Sequence, residues 1–190
     1  KPETAESNAM DKLDALIGLT DVKKTLKDIV SVVRANKKYK ELGIKPLDKY
    51  FHMVFYGNPG TAKTTVGRLC ASIFAKEGLI KNNKYTELGR ADLVGQYVGH
   101  TADKVVKCFE RGRGGVIFID EAYSLISTHE SDYGREAINT IVQLLEDYRE
   151  DTIVIFAGYG KPMDRLIDMN PGLRSRISYN LQFKDYTEEE

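Results

Sequence analysis

Residues 57 to 64, Gly57-Asn58-Pro59-Gly60-Thr61-Ala62-Lys63-Thr64, bring glycines, a lysine and hydroxyls together between two apolar stretches. His52 to Tyr56 before them reads as a strand, and Val66, Leu69, Cys70 and Ile73 after them repeat at helical spacing. A strand, a glycine-bearing loop, Lys-Thr and a helix form the layout of a phosphate-binding loop. Glycines let main-chain N–H groups curl around phosphate oxygens, and the helix aims its positive end at them. Lys63 would reach the outer phosphates, the Thr64 hydroxyl would ligate Mg²⁺, and Thr65 follows in the first turn. One position departs from the pattern, since Ala62 stands where glycine is expected before the lysine.

Two further groups of residues suit the same chemistry. Asp120-Glu121 closes the apolar run Val116-Ile117-Phe118-Ile119. Asp120 could hold Mg²⁺ directly or through water, and Glu121 could orient and deprotonate an attacking water. The same pair would also cap a strand at a solvent loop. Arg174 and Arg176 follow Asn170-Pro171-Gly172, which reads as a turn. They are surface cations before an edge strand, or they supply the positive charge that a transferring phosphoryl group needs, with Arg176 ahead of Arg174. A third stretch, Gly95-Gln96-Tyr97-Val98-Gly99, sets an aromatic and a β-branched residue between glycines. Such a tip could grip an extended polypeptide, stack on a base, or fold back into the core.

These groups need a scaffold that brings strand ends together. Leu13, Leu16, Ile17 and Leu19 form a short apolar cluster. Thr20 is the expected N-cap of a helix whose apolar face is Val22, Leu26, Ile29, Val30 and Val33, ending before Gly43. Its lysines read as a solvated face. Strands are expected at 51–56, 85–88, 116–119, 152–157 and 177–183. Residues 89–99 read as a loop, Thr101 as the cap of the next helix, and 127–133 as a polar loop. A strong helix runs through Ala137, Ile141, Leu144 and Tyr148, and a short one covers 162–168. Alternating strands and helices predict an α/β fold with a mostly parallel sheet between two helical layers. In such a sheet ligands bind outside the carboxyl ends of the strands, where Gly57 to Thr64, Asp120-Glu121 and Gly158-Tyr159 fall.

Bulk composition narrows the partners. Lys+Arg and Asp+Glu each number 28 in 190 residues, so the net charge is zero and there is no global basic footprint for nucleic acid. Cys70 and Cys108 lie far apart, and His52, His100 and His129 share no ligand spacing, so a zinc site is not expected. No apolar stretch is long enough for a membrane span and no signal-peptide pattern is present, which points to a cytoplasmic protein. Ser7-Asn8-Ala9 before Met10 reads as a tag-cleavage scar, so residues 1–9 are set aside as non-native. Residues 10–50 then form an N-terminal helical segment of the core, and 51–190 the phosphate-loop α/β core.

Taken together, Gly57 to Thr64, Val116 to Glu121 and Asn170 to Arg176 resemble the Walker A, Walker B and arginine-finger stretches of an AAA+ ATPase. The resemblance covers about Leu13 to Tyr186. Phe51 to Phe55, Asp92 to Thr101 and Phe118 to Tyr123 are similar to the subfamily of stage V sporulation protein K and red-type rubisco activase, also seen in type VII secretion ATPases. The resemblance implies a homo-hexameric ring that binds ATP and Mg²⁺ and couples hydrolysis to remodelling a protein client. It implies an aromatic pore loop at Tyr97-Val98-Gly99, an adenine-packing segment at Ile17-Gly18, and arginine fingers at Arg174 and Arg176 acting on the next subunit. The alternative it leaves open is an ATP-binding scaffold with little hydrolysis. Besides Ala62, Gly158-Tyr159 departs from the polar sensor residue usual after the fourth strand. The helical lid usual after Asp185-Tyr186-Thr187 is expected to be absent, leaving a monomeric core that binds nucleotide weakly.

Overall fold

Strands with no polar alternation must be covered on both faces, and that requirement organises the molecule. The computed structural model describes residues 8–97, 99–126 and 131–188. Five strands, β1 (His52–Gly57), β2 (Tyr85–Leu88), β3 (Val116–Ile119), β4 (Ile153–Gly158) and β5 (Ile177–Phe183), form one sheet in the order β2-β3-β4-β1-β5. Every neighbouring pair is parallel. Alternate residues of each strand serve opposite faces. Met53, Phe55, Phe118 and Ile155 join one core with helices α1 (Asn8–Ala15), α2 (Thr20–Glu41) and α3 (Lys63–Lys76). Val54, Ile117, Ile119 and Phe156 join the other, which includes buried residues of α4 (Arg90–Leu93), α5 (His100–Gly112), α6 (Ser131–Asp147), α7 (Gly160–Met169) and α8 (Pro171–Arg176). The result is the expected three-layer α/β sandwich, with β1 to β5 fully parallel.

Inserting β4 between β1 and β3 brings three strand ends side by side: the loop after β1, Asp120 after β3, and Tyr159 after β4. His52 locks the opposite end. Its ring is 1% exposed; Nδ1 accepts from the Val154 N–H at 3.0 Å, so Nε2 carries the proton and donates to the Leu145 carbonyl at 2.8 Å. One imidazole thus ties β1 to β4 and to α6.

Several local expectations are corrected. The apolar cluster around Leu13 forms a helix, α1, which begins at Asn8. Thr20 is the first residue of α2 and not its cap; the cap is Leu19, in the left-handed region at φ 57°, which no sequence rule for caps anticipates. The 89–99 loop contains α4, where Asp92 accepts from the Gly89 N–H at 2.9 Å. Thr101 lies inside α5, and its Oγ1 accepts from the Gly95 N–H at 2.9 Å, closing the base of the loop. Asn170-Pro171-Gly172 is a helix start: the Asn170 side chain accepts from the N–H groups of Gly172 and Leu173, and Pro171 takes N1. Of the polar loop expected at 127–133, residues 131–133 belong to α6 and 127–130 lie outside the described residues.

Candidate active site

The loop after β1 is shaped by contacts at both ends. A Cβ on Gly57 would sit 2.7 Å from the Phe183 carbonyl oxygen and 2.8 Å from Thr61 Oγ1, so only glycine lets the chain leave β1 against β5. The Thr61 hydroxyl donates to the Asn58 carbonyl at 2.6 Å. Gly60 takes φ +82° with open space around it. Ala62 then adopts φ 66°, ψ 17° and opens α3 at Lys63. A left-handed L-residue costs about 1–2 kcal/mol, the physical reason a glycine is expected there. The first-turn N–H groups of α3 have no intrahelical acceptors, which suits an anion in front of them.

Pro59, Gly60, Thr61, Ala62, Lys63, Thr64 and Thr65 line a cleft of about 480 Å³ together with Asp120, Glu121, Tyr159 and Tyr186. Lys63 Nζ is folded back onto the carbonyls of Gly57 and Asn58, the latter at 3.1 Å. Burial holds the pKa of Lys63 below the usual lysine value, against the opposing pull of Asp120 and Glu121. Glu121 is exposed and left-handed at φ 46°, and its N–H donates to Asp120 Oδ1 at 2.9 Å. The non-glycine residues with positive φ among the described residues are Leu19, Ala62 and Glu121. Two of them line this cleft and the third lines its neighbour, and such strain concentrates at functional sites.

That neighbour is a cavity of about 260 Å³ between Leu19, Thr20 and Asp21 on one side and the chain after β5 on the other; Tyr186 borders both spaces. Of the expected adenine-packing residues, Ile17 is 56% exposed, and neither it nor Gly18 lines the cavity; Leu19 does. The Asn58 amide donates to both Asp185 carboxylate oxygens, at 3.0 and 3.1 Å, and Lys184 pairs with Asp21 at 3.4 Å. Asp185 and Tyr186 entered the sequence reading only as a boundary.

Tyr159 meets Tyr123 edge-on at 5.1 Å between centroids. Gly158 makes room for them, since a Cβ there would lie 2.8 Å from the Tyr123 ring and 2.4 Å from Met163 Sδ. Burial, a hydrogen bond with Tyr159 and the nearby Glu121 charge push Tyr123 up to about 12. Sequence spacing carried no signal for Tyr123 beyond its place two residues after Glu121.

The two arginines differ. Arg174 is 72% exposed and pairs with Asp168 at 3.2 Å on the surface. Arg176 is 24% exposed, donates from Nη1 to the Gly172 carbonyl at 3.1 Å, and turns Nε toward Glu146 at 3.9 Å. Glu146 also accepts from Tyr50. Arg176 is thus held against its own chain, while Arg174 projects.

Tyr97 is 66% exposed and edge-on to His100 at 5.6 Å. Lys104 donates to the carbonyls of Ala91 and Val94 at 2.9 and 3.1 Å, fixing the arm that carries it. Gly99 caps α5 at φ 80°, and Val98 lies outside the described residues. Tyr97 therefore does not fold into the core.

An ammonium, a hydroxyl, a carboxylate and a helix N-terminus around one cleft fit a Mg²⁺-bound polyphosphate. The sequence profile described as "ATPase family associated with various cellular activities (AAA)" matches residues 53–184. Stage V sporulation protein K of Bacillus subtilis is 43% identical over 176 residues, 93% of this chain and 55% of that protein. The chloroplastic ribulose bisphosphate carboxylase/oxygenase activase of Cyanidioschyzon merolae is 44% identical over 190 residues, 99% of this chain and 65% of that protein. Protein CbbX of Cereibacter sphaeroides is 42% identical over 183 residues, 95% of this chain and 59% of that protein. The chain therefore spans a little over half to two thirds the length of these relatives. With that match over the sheet and its cleft, the chain belongs to the AAA family of ATPases.

Proposed function

We propose that this chain is the ATP-hydrolysing core of a protein-remodelling ring. The observation that carries the reading is the convergence of Lys63, Thr64, Asp120 and Glu121 on one cleft. Phosphates of ATP would lie across the N–H groups at the start of α3, with Lys63 leaving its carbonyl partners for the β- and γ-oxygens. Thr64 and Asp120 would hold Mg²⁺, whose chemistry is to neutralise charge on those oxygens. Glu121 would take a proton from water as that water attacks the γ-phosphorus and ADP leaves. Arg174, and Arg176 once freed from Glu146, would supply positive charge to the nucleotide of the next subunit.

The ring and the client are further steps of the same proposal. Two relatives carry names tied to sporulation and to rubisco activation, so a protein client fits, with Tyr97, Val98 and Gly99 as its contact in the pore. The zero net charge argues against nucleic acid as the partner. No helix among the described residues is long and apolar enough to cross a membrane, and Cys70 and Cys108 are free thiols, which suits work in the cytoplasm. A nucleotide-binding scaffold with little turnover is the competing reading, favoured by the strained Ala62 and the withdrawn Arg176. One assay separates them. In the intact protein Glu121→Gln should keep ATP affinity and lose about 10²–10⁴-fold in kcat. Equal turnover by the two proteins would remove Glu121 as the base, and negligible turnover by wild type would favour the scaffold.

A further inference from the structure

Four of the large apolar side chains exposed among the described residues are tied to the site already described or to the Tyr97 loop. Tyr159 and Tyr186 line the cleft, Ile17 stands two residues from Leu19 in the neighbouring cavity, and Tyr97 is the loop tip. The largest remaining group falls within nine residues of sequence: Tyr39 at 38%, Leu42 at 72%, Ile44 at 52% and Leu47 at 61% exposed. These residues run from the end of α2 into the connection to β1. Asn36 holds that connection by accepting from the Leu47 N–H at 3.2 Å.

A cavity of about 410 Å³ opens beside them, comparable in size to the nucleotide cleft. It lies at the amino ends of the strands, before β1 and β4 and after α3, across the sheet from the phosphate loop. Its floor is apolar, made by Val33, Phe51 and Leu79, with Leu47 on the wall. Its rim is cationic. Arg149 is already matched by Asp48, Glu146 and Glu150, and Lys49 lies over the Tyr179 ring at 4.5 Å. Lys37, Lys40 and Lys45 make no ion pair among the described residues. The rim thus gathers Lys37, Lys40 and Lys45, of which Lys37 also acts on Glu77 while Lys40 and Lys45 are in no ion pair among the described residues, beside the exposed Tyr39, Leu42, Ile44 and Leu47. An isolated phosphate has no use for the floor, and an apolar ligand has none for the lysines. A polypeptide with carboxylates flanking an apolar side chain uses both.

We propose that this cavity is a docking site for an acidic segment of a partner protein, with a leucine-like side chain on the Val33–Phe51–Leu79 floor and carboxylates at Lys37, Lys40 and Lys45. The site is separate from the ATP cleft and from the Tyr97 loop, so it would recruit a partner without competing for nucleotide.

The test uses a short fluorescein-labelled peptide of alternating Glu/Asp and Leu, followed by anisotropy against the 190-residue chain and its variants. Wild type should bind saturably. Lys40→Glu/Lys45→Glu should weaken binding about tenfold or more, because both changed residues are exposed and charge reversal adds repulsion. Lys12→Glu/Lys24→Glu, both exposed and outside the cavity lining, should leave it unchanged, and a peptide with Ser for Leu should bind more weakly. Circular dichroism checks that each variant is folded. Equal affinity for the Lys40/Lys45 variant would overturn the proposal. So would displacement of the peptide by pyrophosphate at matching concentration, which would mark a small-anion site. A fall in sedimentation mass caused by the Lys40/Lys45 change would overturn it too, by making the surface a contact between copies of this chain.

Discussion

Acidification should destabilise this protein well before its carboxylates titrate, and the cause is His52. The imidazole accepts one hydrogen bond and donates another, both to backbone, so it has no site for a second proton without losing the Val154 N–H. Burial, only partly offset by the Leu145 carbonyl and the charge of Glu146, lowers its pKa from 6.5 to about 4. The unfolded chain therefore binds the proton first as pH falls. His52 contributes its full stability above the unfolded value, and the contribution drains away as pH drops from there toward the folded value. At about 1.4 kcal/mol per unit the whole contribution is about 3 kcal/mol, of which about 2 kcal/mol is gone between about pH 7.5 and about pH 5. For a chain of this length that is a fall in Tm of about 4–8 °C. The assay is urea unfolding across that range for wild type and for His52→Gln, which keeps a donor and an acceptor but has no proton to gain. His52→Gln should start less stable and show a pH dependence flatter by about 2 kcal/mol. Parallel pH curves for the two proteins would refute the assignment.

Three other outcomes follow from the loop and the arginines. Ala62→Gly relieves a left-handed alanine, about 1–2 kcal/mol, against about 0.5–1 kcal/mol of added chain entropy, so Tm should rise by about 1–3 °C with nucleotide affinity maintained. A fall in Tm on calorimetry would mean Ala62 is not strained. Arg174→Ala should cut turnover of the assembled protein by about 10³ while leaving unfolding free energy nearly unchanged, since its pair with Asp168 is on the surface. Arg176→Ala should also cost about 1 kcal/mol of stability, because it removes the bond to Gly172 and a charge facing Glu146. Normal turnover by Arg174→Ala, or wild-type stability for Arg176→Ala, would contradict this division.

The parts of the fold most legible in the sequence are those where one signal dominates. The runs 85–88 and 116–119 coincide with β2 and β3, because glycine and polar residues fence them on both sides. The strand–loop–helix layout around Gly57 to Thr64 is equally plain, since the close approach at Gly57 and the positive φ at Gly60 restrict the residues that fit there. Short helices were harder. Asn170-Pro171-Gly172 satisfies a turn and a helix N-terminus alike, and the six residues of α8 are too few for an apolar repeat to choose between them. Leu19 and Glu121 are left-handed against the preference of their side chains, so only tertiary contacts could specify them. Tyr123 ends the recognised stretch Phe118 to Tyr123, but nothing in that stretch sets its ring against Tyr159, and Tyr186 reaches the cleft from a segment without a motif of its own. The preference for Arg176 rested on sequence position alone, which carries no information about Glu146 on a helix far away in sequence.

The paired hydrogen bonds from Asn58 to Asp185 make the phosphate loop and the strand exit at β5 a single linkage. Such bonds weaken steeply once stretched by a few tenths of an ångström. If phosphate bound at the loop shifted Asn58, that shift would either drag residue 185 with it or release it. In both cases occupancy of the loop would be converted into the direction in which the chain leaves the sheet. The amide of Asn58 would serve as a latch between chemistry and motion, with no need for a signal to cross the core.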